Sequence, residues 1–150
     1  MNLFSHQRAQ FDALIGFDGT GARRAWVSLP LGSGSTTVAV TAAVRLYRYS
    51  AVQRILYVTE NCMRGNVHRI AGEYPVHKLD PKADVKAGIT CCSSDMLRRH
   101  HDTTILYTGF DLVVVDVGFD PMRMRGKVWG AAMQTLLQHA NRLWLVGGNV

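Results

Sequence analysis

Apolar positions along the chain switch repeatedly between a helical spacing and short continuous runs, and the switches predict the elements. In SHQRAQFDALIGF (5–17), Phe11, Leu14, Ile15 and Phe17 fall three and four apart, which predicts a short amphipathic helix with Ser5 as its N-cap. FDGTGARR reads as a turn, and AWVSLP (25–30) as a short buried strand ended by Pro30. STTVAVTAAVRLYRY (35–49) is rich in β-branched residues but too long for an ordinary strand, so it reads as a helix. RILYVT (54–59) is a second strand, 61–74 a helix, and 75–88 a polar connection around Pro75 and Pro81. GITCC (88–92) is a third strand, and SSDMLRRHH starts a helix capped by Ser93 or Ser94. DLVVVDV (111–117) is apolar on both faces, as a central parallel strand must be. KVWGAAMQTLLQHA (127–140) is a helix and RLWLVGG (142–148) a final strand.

Strands therefore alternate with helices from Ala25 onward, without repeats or linkers. That order predicts a three-layer α/β domain over 1–150, with a mainly parallel central sheet and right-handed crossovers.

Composition narrows the setting. Hydrophobic residues are 47% and charged residues 19% of 150, a globular balance. No apolar run reaches the about 18 residues of a membrane span, and the N-terminus lacks the basic and apolar regions of a secretory signal. Cys62 and the adjacent Cys91 and Cys92 make neither a disulfide framework nor a zinc spacing. These features predict a reducing, cytoplasmic environment. The net charge of +6 favours an acidic or polyanionic partner. Thirteen of the seventeen basic residues are arginine, and all four lysines lie after residue 77.

The candidate chemistry begins at LPLGSGSTTVAV (29–40). Gly32 and Gly34 let a backbone wrap closely around phosphate, Ser33 lies between them, and a helix opening near Ser35 offers its positive end. Taken in order, His6-Gln7, the Pro30-to-Thr36 loop, RILYVTEN, ITCCSSDML, FDLVVVDVGF and NRLWLVGGNV form a series of blocks. Their order and spacing resemble the first RecA-like lobe of superfamily 2 helicases and the related restriction-type translocases, across essentially the whole chain. The resemblance implies a RecA-like P-loop NTPase fold. It also implies roles residue by residue: Gln7 for an adenine edge, Thr36 and Asp116 as the positions that hold Mg²⁺, and the loop from Gly32 to Ser35 for the phosphates.

This sequence departs from the family's pattern where catalysis needs it most. Ser35 stands in place of the lysine that neutralises the phosphates, and Val117 in place of the glutamate that activates water. Gly147-Gly148-Asn149 has no hydroxyl where the family has Ser/Thr-Ala-Thr, and a single RecA-like domain without a second helicase lobe is expected. Together these departures imply a catalytically inactive pseudo-NTPase that acts as a protein-interaction or regulatory module. Such a domain suits a phage or mobile element that targets a host protein. No cofactor is expected, residual Mg-ATP binding being the alternative. A protein partner is expected, nucleic acid bound by the basic surface is the alternative, and no membrane is implied.

Arg98-Arg99 and the Met122-Arg123-Met124-Arg125 segment are candidate contact surfaces, the methionines because they sit in a loop-like stretch rather than a core pattern. Gln7 can equally be a surface glutamine on the first turn of its helix. Thr59 and Asn61 in VTEN read as strand-end and cap residues, and His100-His101 as a solvated helix end.

Overall fold

The structure, a computed structural model, describes residues 3–19, 23–30, 34–49, 52–59, 64–80, 84–100, 109–116 and 127–149. In chain order the elements are α1 (Ser5–Gly19), β1 (Arg24–Pro30), α2 (Ser35–Arg48), β2 (Arg54–Thr59), α3 (Arg64–Ala71) and β3 (Val76–Lys78). They continue with β4 (Gly88–Ser93), α4 (Ser94–His100), β5 (Leu112–Asp116), α5 (Lys127–His139) and β6 (Leu143–Asn149).

Six strands form one sheet in the order β1-β6-β5-β2-β4-β3, and every neighbouring pair is parallel. The chain moves across the sheet from β1 to β2 to β3, then turns back through β4 and β5 to β6. With right-handed crossovers, the helices of the outward and return paths must lie on opposite faces. They do. α1, α2 and α3 pack together with β1, β6 and β3, whereas α4 packs on α5, β4 and β2.

The strands β2 and β5 divide their side chains between those faces. Ile55, Tyr57, Leu112 and Val114 join Val38, Ala42, Leu46 and Trp144 in one core. Leu56, Val58, Val113 and Val115 join Leu97, Met133, Leu136 and Leu145 in the other. Strands buried on both faces need the unbroken apolar runs that the sequence shows there.

Three local expectations are corrected. Ser5 is not the cap of α1: the first helical bond runs from Arg8 N to Phe4 O, which makes Phe4 the N-cap. The cap is closed from inside the helix, because Phe4 N donates to Gln7 Oε1 at 2.9 Å, as an N3 side chain does in a capping box. The helix expected over 61–74 ends at Ala71, where Gly72 takes φ +67 and its N–H returns to His68 O. The connection expected over 75–88 contains the edge strand β3, in register with Ile89–Cys91 of β4. Of the two proposed caps for α4, Ser93 serves, its Oγ accepting from Met96 N at 3.1 Å.

Candidate functional site

All six strands end on the same side, since all are parallel, and ligand sites of open parallel sheets lie beyond those ends. β1 ends there at Pro30, β5 delivers Asp116, and β2 delivers Thr59, which is in register with Asp116. β6 lies between β1 and β5, with Asp116 opposite Val146.

The loop reaches α2 through Gly34, whose φ of +82 and ψ of +36 are left-handed. Val38 N donates back to Gly34 O at 3.2 Å, so the helix starts immediately. A Cβ added at Gly34 would overlap the side-chain nitrogen of Gln7. The left-handed backbone is what favours glycine here, and a larger residue would also have to displace the Gln7 amide. Gly32 and Ser33 lie outside the described residues, and Ser35 is the first residue of α2.

Gln7 is buried, with 7% of its surface exposed, so the reading of it as a surface residue is corrected. Its oxygen caps α1 and its nitrogen end lies against Gly34, which ties the first helix to the start of the second. The structure thus brings Gln7 against Gly34 at the start of α2.

Thr36 and Asp116, eighty residues apart, are brought into contact. Thr36 Oγ1 donates to Asp116 Oδ2 at 2.7 Å. The same oxygen accepts a second bond, 2.6 Å long, from the hydroxyl of Tyr57. Tyr57 is fully buried in β2 and was not singled out from the sequence, where it reads as one more apolar residue of a strand. The available signal was chemical: a buried tyrosine hydroxyl needs a partner. The register between β2 and β5 that supplies Asp116 is visible only in the fold.

Electrostatics follow from this burial. Desolvation raises the Asp116 carboxyl above its ordinary value, and the hydroxyls of Thr36 and Tyr57 draw it part of the way back. Burial, followed by the Asp116 charge and the bond to it, holds the Tyr57 phenol well above its ordinary value, so it remains a donor. The charge of Asp116 is thus met by two neutral hydroxyls.

Thr36 and Asp116 are oxygen donors of the kind a hard divalent cation takes, so this pair fits Mg²⁺. Ser35, at the position of the family's lysine, carries no charge to offer a phosphate. Among the described residues, no group of three or more His, Cys, Asp or Glu side chains converges to hold a metal.

The remaining candidates are not drawn into this site. Arg98 and Arg99 lie on α4, with Arg99 exposed, while Val117 and the Met122-Arg123-Met124-Arg125 segment lie outside the described residues. No helix among the described residues is long and apolar enough to cross a membrane.

No family model and no curated protein matches the sequence. Solved structures do match the fold. The UvsW helicase from bacteriophage T4 aligns with a TM-score of 0.68 and 14% identity, over 98% of this chain and 52% of that one. The Sulfolobus solfataricus SWI2/SNF2 ATPase core, solved in complex with dsDNA, aligns with a TM-score of 0.75 and 14% identity, over 100% of this chain and 32% of that one. The chain therefore spans about half of the first protein and a third of the second. At this identity the likeness establishes architecture, and the chain has the RecA-like α/β fold of a helicase lobe.

Proposed function

We propose that this is a helicase-like RecA domain that does not hydrolyse nucleotide and works by binding another protein, as an interaction or regulatory module. The observation that carries the reading is the pairing of Asp116 with Thr36 and Tyr57, which satisfies the buried carboxylate from within the fold. A phosphate site built for turnover keeps its cationic partner beside the hydroxyl residue, and here that position is Ser35. If Mg²⁺ were bound, Thr36 and Asp116 would hold it, and it would supply charge for a triphosphate. The chain's own residues would still lack the lysine and the base.

Removing one transition-state partner costs about 10²–10³ in rate, and removing a general base about 10²–10⁴. Losses of that size leave a domain whose preserved core and surface are its useful parts. A phage or mobile-element setting, in which the domain engages a host protein, fits this reading. Cytoplasmic placement fits it as well.

The test is ATP turnover by the 150-residue chain, alone and with single- or double-stranded DNA, beside a thermal-shift titration with Mg-ATP. The expected result is no turnover and no shift. Turnover that Asp116→Ala abolishes would refute the proposal.

A further inference from the structure

The sheet edge opposite the phosphate site gathers arginines from separate elements. Leu143 N donates to Arg23 O, Val113 N to Arg142 O, and Asp111 N to Arg54 O, each at 2.8 Å. These bonds line up Arg23, Arg142, Asp111 and Arg54 on four adjacent strands, a row about 14 Å long at ordinary strand spacing. α2 runs back to the same edge, where Val52 N, just before β2, donates to Leu46 O in its last turn. Its end adds Arg45, Arg48 and Tyr49, all exposed, Tyr49 to 66%.

We propose that this edge is the docking surface of the protein partner, and that the partner presents an acidic segment to it. The inference rests on the binding-module reading and gives that module a face.

Helix-dipole compensation accounts for Arg45 and Arg48 at the end of α2. It does not account for Arg23 or Arg54, which sit at strand starts and are exposed. Several of these groups are held before any partner arrives. The Arg45 guanidinium lies 5.8 Å from the centre of the Phe11 ring and 5.2 Å from that of Tyr49. Arg23 Nη1 donates to Asn141 Oδ1. Held arginines lose less freedom on binding and offer planar forks that match carboxylates.

The residue types favour a protein over a phosphate chain. Arginine and tyrosine are enriched where protein interfaces concentrate their energy, while lysine is depleted, and this row contains no lysine. A carboxylate interrupts the row: Asp111 Oδ2 accepts from Gln53 N at 2.8 Å and Arg54 N at 3.0 Å. A continuous phosphate backbone would meet that charge as repulsion. A protein surface can set a donor against it and place its acids on the arginines either side.

The experiment measures fluorescence anisotropy of a labelled peptide of alternating glutamate and serine, whose hydroxyls can donate to Asp111, with labelled oligo(dT) in parallel, against four variants. Arg48→Glu, Arg54→Glu and Tyr49→Ala alter the edge. Lys78→Glu carries the same charge change at the exposed end of β3, the last strand on the far side of the sheet. Peptide binding should weaken about fivefold or more in each edge variant and stay within about twofold in Lys78→Glu. Equal losses in Lys78→Glu and Arg54→Glu reduce the effect to net charge and overturn the proposal. Oligo(dT) binding that falls more than peptide binding in Arg54→Glu makes nucleic acid the occupant and overturns it too. Neither polymer assay involves nucleotide hydrolysis. Failure of the edge therefore leaves the non-hydrolytic reading standing, and ATP turnover refutes that reading alone.

Discussion

Replacing Tyr57 with phenylalanine removes one oxygen from the interior and isolates the internal pairing of Asp116. The ring stays, so the packing against the α2 side of the sheet is retained. What is lost is a 2.6 Å hydrogen bond to a buried carboxylate, of a class that contributes about 1.5–3 kcal/mol. Thr36 still donates to the same oxygen, so Asp116 keeps one partner, and a loss of about 2 kcal/mol is expected. For a chain of this length that lowers Tm by roughly 4–8 °C. The pH dependence separates this cause from simple repacking. Burial already raises the Asp116 carboxyl, so the folded chain binds that proton more tightly than the unfolded chain. Ionised Asp116 is therefore a cost at neutral pH, relieved as pH falls through the raised folded value toward the ordinary one. Losing the Tyr57 donor raises the carboxyl further. The variant's deficit should be full at pH 7 and shrink as Asp116 takes up its proton. Urea unfolding of both chains in steps from neutral pH down to the ordinary carboxylate range measures it. A deficit under about 0.5 kcal/mol, or one that does not change with pH, would refute the argument.

Other perturbations test separate parts of the structure. Gly34→Ala combines a left-handed backbone with overlap onto Gln7, and should lower stability by more than about 1 kcal/mol in thermal melts. On the proposed reading, Ser35→Lys adds the charge of the family's lysine position, and should raise the Mg-ATP thermal shift above that of the natural chain, an affinity gain of about tenfold or more. Burial pushes the Cys92 thiol up to about 12, so iodoacetamide at pH 8 should label it only after unfolding, as peptide mapping would reveal. Leu97→Ala empties a fully buried position between α4 and the sheet and should cost about 2–5 kcal/mol in urea unfolding.

The parts of this fold that the sequence discloses are those whose physics is local. β2 and β5 are buried on both faces, and RILYVT and DLVVVD show this as uninterrupted apolar runs. β3 has no such signal. Its three residues are exposed or half-buried at a sheet edge, and only pairing with β4 makes them a strand. The end of α3 depended on Gly72 adopting a left-handed conformation, where the apolar spacing allowed the helix to run on. The site divides in the same way. Gly34, Thr36 and Asp116 are legible because each occupies a motif position with a stated chemical job. Gln7 was legible as a position but not in its burial, which comes from α1 folding over the start of α2. Tyr57 was hidden, because its role requires the register of β2 on β5.

Tyr57 also explains how such a site stays folded without the charges its motif positions would use. Its ring belongs to the same buried cluster as Val38, Ile55, Val114 and Trp144, while its hydroxyl reaches the site. Thr36 comes from α2 and Asp116 from β5, so three elements meet at one carboxylate oxygen. An ionised group this buried is costly unless it is paired and hydrogen-bonded. In this chain, side chains of α2 and β2 supply those hydrogen bonds. On the proposed reading, the fold of this site does not depend on nucleotide, because Thr36 and Tyr57 hydrogen-bond Asp116 from within the chain, although neither cancels its charge. If the proposed reading holds, the domain presents its surface continuously, whatever the nucleotide state around it. That is what a binding module requires and what a motor, whose surface must change with each turnover, has to avoid.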